Sequence, residues 1–179
     1  LRNTLTRARR RLEKTEGYNI LLCTGRYLSE ADIDAFVTVY NRSWKKPEPF
    51  PDFIPGLCSL AAREGWLRLG IIRLDRRPIA VQLWLVANGK ANIVKLAYDQ
   101  QFAKTSAGTV LTAALMEHVI DIDRVAEIDY LIGDDLYKRD WVSCRRERRG
   151  LIAFNPAFPL GWLGAIRHFA GKLTRGFVA

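Results

Sequence analysis

The spacing of apolar residues changes twice along this chain, and that change limits the folds open to it. Between residues 67 and 98 the spacing is two. Leu67, Leu69 and Ile71 alternate with Arg68 and Gly70, and Ile79, Val81, Leu83 and Leu85 alternate with Ala80, Gln82 and Trp84. Side chains two apart share one face of an extended strand, so these runs, with a third from Ile93 and Val94 to Tyr98, predict three strands. Asp75-Arg76-Arg77-Pro78 and Asn88-Gly89 separate them. Asn-Gly favours the two-residue turn of a hairpin, so the three strands form an antiparallel meander.

On either side the spacing turns helical. Leu5 and Leu12, with arginines between them, predict a basic helix ending at Gly17 that adds little to the core, and Ile20, Leu21 and Leu22 predict a short strand. Ser29-Glu30-Ala31-Asp32 has the form of a capping box, after which Ile33, Phe36, Val37, Tyr40 and Trp44 fall on one helical face. Residues 46–56 hold four prolines and read as a loop. A short helix from Ile54 to Glu64 follows, stopped by Gly65. Beyond the meander, Ser106 is placed to cap a helix whose apolar stripe is Leu111, Leu115, Val119 and Ile122. Ile128, Tyr130, Leu131 and Ile132 then read as a strand ending at Gly133, and the helical crossover favours its parallel pairing. A short helix over residues 136–141, a strand near residues 151–154 and a helix from Pro159 to about Arg175 complete the pattern. The fold class is α+β: a domain over residues 18–158, preceded by a basic segment over residues 1–17 and followed by an amphipathic helix over residues 159–179.

Composition narrows the function. A net charge of +9 and a pI near 9.8 point to an anionic partner. The charge gathers in Arg7, Arg9, Arg10 and Arg11 and in Arg145, Arg146, Arg148 and Arg149, although either cluster reads equally well as a solvated face. No apolar run approaches the roughly 18 residues of a membrane span, and the Arg-rich opening is not a signal peptide, so a cytoplasmic protein is expected. In the last helix Trp162, Ile166, Phe169 and Leu173 share one side. That face either docks on the domain's own sheet or makes a peripheral membrane contact. Cys23, Cys58 and Cys144 are too widely spaced for a metal site or a disulfide framework and are expected as buried thiols; no metal is expected. His118 lies beside an apolar stripe and reads as structural, which leaves no Cys–His nucleophile. Trp44, Trp66, Trp84, Trp141 and Trp162 are expected mostly in the core. Together with the arginine clusters they keep a nucleic-acid-binding module as the non-enzyme alternative, without any motif for a specific nucleic acid.

Two constellations carry chemistry. In Lys104-Thr105-Ser106-Ala107-Gly108-Thr109 a strand hands over to a long helix through small residues. A helix start offers free N–H groups and the positive end of the macrodipole, a seat for a pyrophosphate; Gly108 permits close approach and Lys104 adds a charge. The alternative is a simply capped helix. In Gly133-Asp134-Asp135-Leu136-Tyr137-Lys138-Arg139-Asp140-Trp141, acids, a phenol and an ammonium follow a strand end, where open sheets place ligands. A group-transfer reaction needs a base for the acceptor's proton and an acid for the leaving group. Asp134 or Asp135 supplies the first, Tyr137 the second, and Lys138 stabilises charge or binds an anionic acceptor. The alternative here is a polar turn capping the next helix through Asp135.

These runs, with Pro78-Ile79-Ala80, Lys95-Leu96-Ala97-Tyr98-Asp99 and Ser106-Ala107-Gly108, resemble the GNAT acetyltransferases typified by the CelD-like cellulose-biosynthesis proteins, relatives of the Fem-type peptidyltransferases. Ala107 stands where that pattern has proline. The resemblance implies a GNAT-like mixed central sheet, an antiparallel meander plus a parallel strand, flanked by helices. It implies an acetyl-CoA or other acyl-CoA donor, with pantetheine along a splayed strand at Leu96, Ala97 and Tyr98 and the pyrophosphate at Ser106, Ala107, Gly108 and Thr109. The acceptor is an amine or hydroxyl on a small molecule, sugar or peptide. Fem-type relatives use an aminoacyl-tRNA donor instead. Many members of the wider group have two GNAT-like halves, so a second half outside this chain is a further expectation.

Overall fold

The computed structural model describes residues 2–25, 27–147 and 149–175, the side chains of residues 172–175 excepted. Two compact units divide the chain, Leu1–Trp141 and Val142–Ala179. The first holds α1 (Arg2–Glu13), β1 (Asn19–Cys23), α2 (Glu30–Asn41), α3 (Phe53–Arg63), β2 (Leu67–Leu74), β3 (Arg77–Ala87), β4 (Lys90–Tyr98), a 3-10 turn (Gln100–Thr105), α4 (Ala107–Asp121), β5 (Glu127–Asp129) and a second 3-10 turn (Leu136–Asp140). The strands lie in chain order in one sheet. β1 to β4 pair antiparallel and β4 pairs parallel with β5. This is the mixed α+β sheet that the alternating runs and the crossover helix foretold. Asp75 and Arg76 both take left-handed φ, 47° and 66°, as do Asn88 and Gly89, 52° and 70°. Two such residues in a row make the turn whose twist matches the strands it joins.

One face of the sheet is sealed by α2 and α3, where Phe36, Val39, Tyr40, Ile54, Cys58 and Ala61 pack on Leu67, Leu69, Ile71, Val81, Leu83 and Ala97. The Ser29 hydroxyl accepts from the Asp32 N–H, and the Asp32 carboxylate accepts from the Ser29 N–H, so the foreseen capping box starts α2. On the other face α4 crosses β2 over Gly70. A Cβ there would come within 2.8 Å of Leu111 Cδ1 and 2.9 Å of Leu115 Cδ1, so only glycine lets the helix seat at this depth. β3 is therefore covered on both sides, and Ala80, Gln82 and Trp84 are as buried as the residues they alternate with.

Several expectations need correction. α1 does enter the core, burying Ala8 and Leu12. Trp44 and Ile122 lie outside their helices and are exposed. Pro55 belongs to the first turn of α3 rather than to the loop, because its missing N–H falls where a helix start has no acceptor for it. β5 ends at Asp129, not at Gly133: Leu131 takes a left-handed φ of 57° that no strand continues, leaving Ile132 exposed. Residues 151–154 form no strand, and Leu151 is 95% exposed. Of the five tryptophans only Trp84 is fully buried, while Trp44, Trp66 and Trp162 are exposed. Cys23 and Cys58 are buried but Cys144 is exposed.

The second unit contains α5 (Pro159–Arg175), as the sequence pattern required. Leu160, Trp162, Leu163, Ile166 and Phe169 are exposed on it, and no helix among the described residues is long and apolar enough to cross a membrane.

Candidate active site

β4 pairs with β5 only through Lys90, Ala91 and Asn92. Beyond Asn92 it continues to Tyr98 with no strand beside it on that flank among the described residues, while β3 stays paired on the other. A register irregularity between Leu83 and Trp84 on β3 leaves Val94 unmatched on β4, which falls where the two strands part. An extra residue bends a strand and increases its twist, so the bulge turns β4 away from β5. The result is a wedge whose one wall is the free edge of residues 93–98, including Leu96, Ala97 and Tyr98. The Ala97 side chain itself belongs to the core, so what this position offers the wedge is backbone.

At the tip of β4 the chain is held by Asp99, 2% exposed, whose carboxylate accepts from the Gln101 N–H at 3.0 Å and from Arg77 Nη2 at 2.8 Å. Arg42 approaches it at 3.9 Å. These bonds hold the 3-10 turn that delivers the chain to α4, beside an open cleft of about 730 Å³ lined by Arg42, Arg77, Asp99, Gln100 and Gln101. Ser106 does not cap α4. Its backbone is left-handed, with φ 58°, and its hydroxyl makes no cap bond; the Ala107 N–H donates to Thr105 Oγ1 instead. The first α-helical bond is from Val110 N–H to the Ser106 carbonyl, which leaves the N–H groups of Gly108 and Thr109 without an acceptor among the described residues. They carry the positive end of the α4 macrodipole.

This helix start is fixed from below. Gln82 Nε2 donates to the Gly108 carbonyl at 3.0 Å and to Thr112 Oγ1 at 2.7 Å, and Gln82 Oε1 accepts from Trp84 Nε1 at 2.8 Å. The orientation of the amide is unambiguous, since the carbonyl can only accept and the indole can only donate. A Cβ on Gly108 would lie 3.3 Å from Tyr98 Cδ1, so the helix start and the strand tip are in close contact. Lys104 is exposed, and its carbonyl accepts from Arg11 Nη2, which ties the basic α1 to the same loop.

The second constellation lies after β5. Lys138 Nζ donates to the Ile132 carbonyl at 2.8 Å and lies 3.2 Å from Asp135 Oδ2; its side chain is only 11% exposed. Asp134 is exposed and lies 3.6 Å from Arg139. The Tyr137 ring stands edge-on to Tyr130, centroids 6.2 Å apart. Burial raises the Tyr137 phenol above the ordinary tyrosine range and the neighbouring Asp135 charge adds to it, so it is protonated at neutral pH. Tyr130 is more deeply buried, and its hydroxyl has no hydrogen-bond partner among the described residues.

The two constellations meet through Trp44, which the sequence pattern placed in the core, and through Lys45 and Glu48, which it did not single out. The Trp44 ring packs on Tyr98 with centroids 4.5 Å apart. Lys45 Nζ stands 5.7 Å from the centre of the Trp44 ring, within electrostatic range of Lys95, Asp135 and Lys138. Glu48 binds Lys95 Nζ at 2.6 Å. Trp44, Lys45 and Glu48 all come from the connection between α2 and α3, where Trp44 was read as the end of the α2 stripe and Lys45 and Glu48 gave no signal. Gln82 could have been found: an amide in an otherwise apolar strand run must have partners if it is buried.

The profile of the family described as the acetyltransferase (GNAT) domain matches residues 1–139. The chain belongs to the GNAT acetyltransferases. No curated protein sequence matches it. Among solved structures, glucosamine-6-phosphate N-acetyltransferase from Arabidopsis thaliana is similar with a TM-score of 0.55 and 11% identity, over 76% of this chain and 99% of that one. AAC(6')-Iy, in complex with the bisubstrate analogue CoA-S-monomethyl-acetylneamine, gives 0.53 and 12%, over 74% and 99%. Ribosomal-protein-alanine N-acetyltransferase from Brucella melitensis biovar Abortus 2308 gives 0.51 and 9%, over 77% and 99%. At these identities the likenesses show the GNAT fold alone. The family moves acyl groups from coenzyme A to amines, and the wedge with the bare helix start beside it belongs to the part of the chain that its profile covers.

Proposed function

We propose that this GNAT protein transfers an acetyl or other acyl group from acyl-CoA directly to an amine. The observation that carries this reading is the parting of β4 from β5 after Asn92, beside the unpaired N–H groups of Gly108 and Thr109. Pantetheine lies along the free edge of β4 at Leu96, Ala97 and Tyr98 as an added strand, and the pyrophosphate sits on Gly108 and Thr109, with Lys104, Ser106 and Ala107 shaping the loop. The likeness of residues 133–141 to the CelD-like proteins supports a place near them within the family.

In the reaction the acceptor nitrogen attacks the thioester carbonyl, the C–S bond breaks, the nitrogen gives up a proton and the CoA sulfur gains one. Asp134 or Asp135 takes the first proton, with Glu48 a third carboxylate in reach of the same region. Tyr137 supplies the second, as its raised pKa keeps the phenol protonated until the thiolate forms. Lys138 stabilises charge at the wedge. Neither core cysteine serves as a covalent nucleophile, because burial pushes the Cys58 thiol up to about 11 and raises that of Cys23, so neither is a thiolate at neutral pH.

Calorimetry with acetyl-CoA tests the donor site, and Thr109→Pro sharpens it. Thr109 is the third residue of α4, the position Pro55 holds in α3, so proline fits there and removes one N–H from the seat. Acetyl-CoA affinity should fall about tenfold, the worth of one charge-assisted hydrogen bond, with little change in Tm. No heat with the parent protein removes the acyltransferase reading.

The same reading extends to location: we propose that α5 rests on an anionic membrane surface. Residues 142–179 carry seven Lys and Arg against Glu147 alone, and α5 contains no acid. Its exposed Trp162, Leu163, Ile166 and Phe169 supply the apolar side of an interfacial helix. The protein should sediment with vesicles containing phosphatidylglycerol, and Ile166→Glu should leave it in the supernatant; equal partitioning of the two removes the idea.

A further inference from the structure

The wedge holds more positive charge than its own acids neutralise, and the surplus sits on one side chain. Lys95 is paired with Glu48 at 2.6 Å, and Lys138 with Asp135 at 3.2 Å and with the Ile132 carbonyl. Lys45 is within electrostatic range of both ammoniums and of Asp135, but makes no salt bridge with a carboxylate among the described residues. Instead its Nζ stands over the Trp44 ring, whose other contact is Tyr98 at the strand tip, which in turn touches the start of α4 at Gly108. Trp44 is 49% exposed, so part of its ring is open to a molecule bound at this edge. Lys45 is therefore held at the edge of the wedge by a ring, not by an acid, with its ammonium uncommitted.

We infer that the acyl acceptor carries an anionic group, a carboxylate or a phosphate, that Lys45 seats above Trp44 at the open edge of β4. This deepens the proposed acyl transfer and rests on it. Burial pulls the Lys45 ammonium below the ordinary lysine range, Lys95 and Lys138 pull the same way, and Asp135 opposes them. A bound anion removes that imbalance, and the site prefers it to a neutral or cationic molecule of the same size. The amine of such an acceptor then has only the short span between its own anion and the thioester to cross, which fixes its direction of attack.

The test compares matched amines by thiol release from acetyl-CoA: O-phosphoethanolamine against ethanolamine, and 4-aminobutanoate against butylamine. In one pair the member with the anionic group is expected to exceed the member without it in kcat/KM by at least about tenfold, the size of one charge-assisted contact, and the pair that responds tells phosphate from carboxylate. In Lys45→Met the preference should vanish through KM, while the calorimetric affinity for acetyl-CoA stays as in the parent. Equal use of both members, turnover of none of the four by a protein that binds acetyl-CoA, or a preference that survives Lys45→Met overturns the inference. A loss of acetyl-CoA affinity in Lys45→Met also overturns it, by assigning Lys45 to the phosphates of the donor. Absence of heat with acetyl-CoA in the parent protein takes down the acyl-transfer reading as well and is a separate result.

Discussion

Lys138→Ala is expected to lower kcat about 100-fold, the usual cost of removing one preorganised charge from a developing oxyanion or thiolate, while acetyl-CoA affinity changes little. Two features of the side chain lead there. Its side chain is only 11% exposed, which fixes where the charge sits, and it holds the chain after β5 by bonding the Ile132 carbonyl and Asp135. The loop it holds is otherwise weakly packed: Leu131, Ile132 and Leu136 are all exposed. Removing the ammonium therefore loosens a loop outside the core, and Tm should fall by no more than about 4 °C, since 1 kcal/mol shifts a protein of this size by roughly 2–4 °C. Lys138→Met keeps the aliphatic stem and separates charge from packing: if its kcat is restored, Lys138 acts by filling space. Should the kinetics of Lys138→Ala match the parent, residues 133–138 are not the reaction site.

The sheet was legible because its strands are long, alternate cleanly and are separated by turn residues whose conformation is set locally, as Asn88-Gly89 shows. β5 was misjudged because Ile128, Tyr130, Leu131 and Ile132 look like a buried strand, and periodicity carries no information about where a partner strand has bent away. β4 pairs with β5 for only three residues and then turns away, so its remaining edge is out of reach of a longer β5. Ser106 failed as a cap for a related reason: a cap is defined by its backbone angles, and Thr105, one residue earlier, reached the Ala107 N–H once the chain entered α4 from a 3-10 turn. The side of the candidate site proposed for the acceptor was not legible at all. Lys45 and Glu48 are ordinary charged residues in a proline-rich loop, and they gain meaning only when the fold sets them against Lys95, which lies about 50 residues further along the chain. What remained readable at the site was the local part, the glycine-containing helix start at Gly108 and the polar run at residues 133–138.

Gln82→Leu should destabilise the protein by about 2–3 kcal/mol, a fall in Tm of roughly 4–12 °C, although leucine fills nearly the same volume. The loss has a single main source. When the amide goes, Thr112 Oγ1 still donates to the Gly108 carbonyl at 3.0 Å, so that oxygen keeps a partner. The Trp84 indole N–H does not: it is fully buried, and Gln82 Oε1 is its acceptor. Orphaning a buried donor costs more than losing a bond whose partners return to water. Trp84→Phe deletes that donor, so in a double-mutant cycle Gln82→Leu should cost clearly less on the Trp84→Phe background, with a coupling of at least about 1 kcal/mol. Additive effects would show that the amide acts only by filling space. The same variant probes the proposed donor seat, because Gln82 hydrogen-bonds the first turn of α4 to β3. With that tie cut, the N–H groups of Gly108 and Thr109 are no longer held at one spacing for a diphosphate, and the thermal shift produced by saturating acetyl-CoA should shrink in Gln82→Leu even at temperatures where the variant is fully folded.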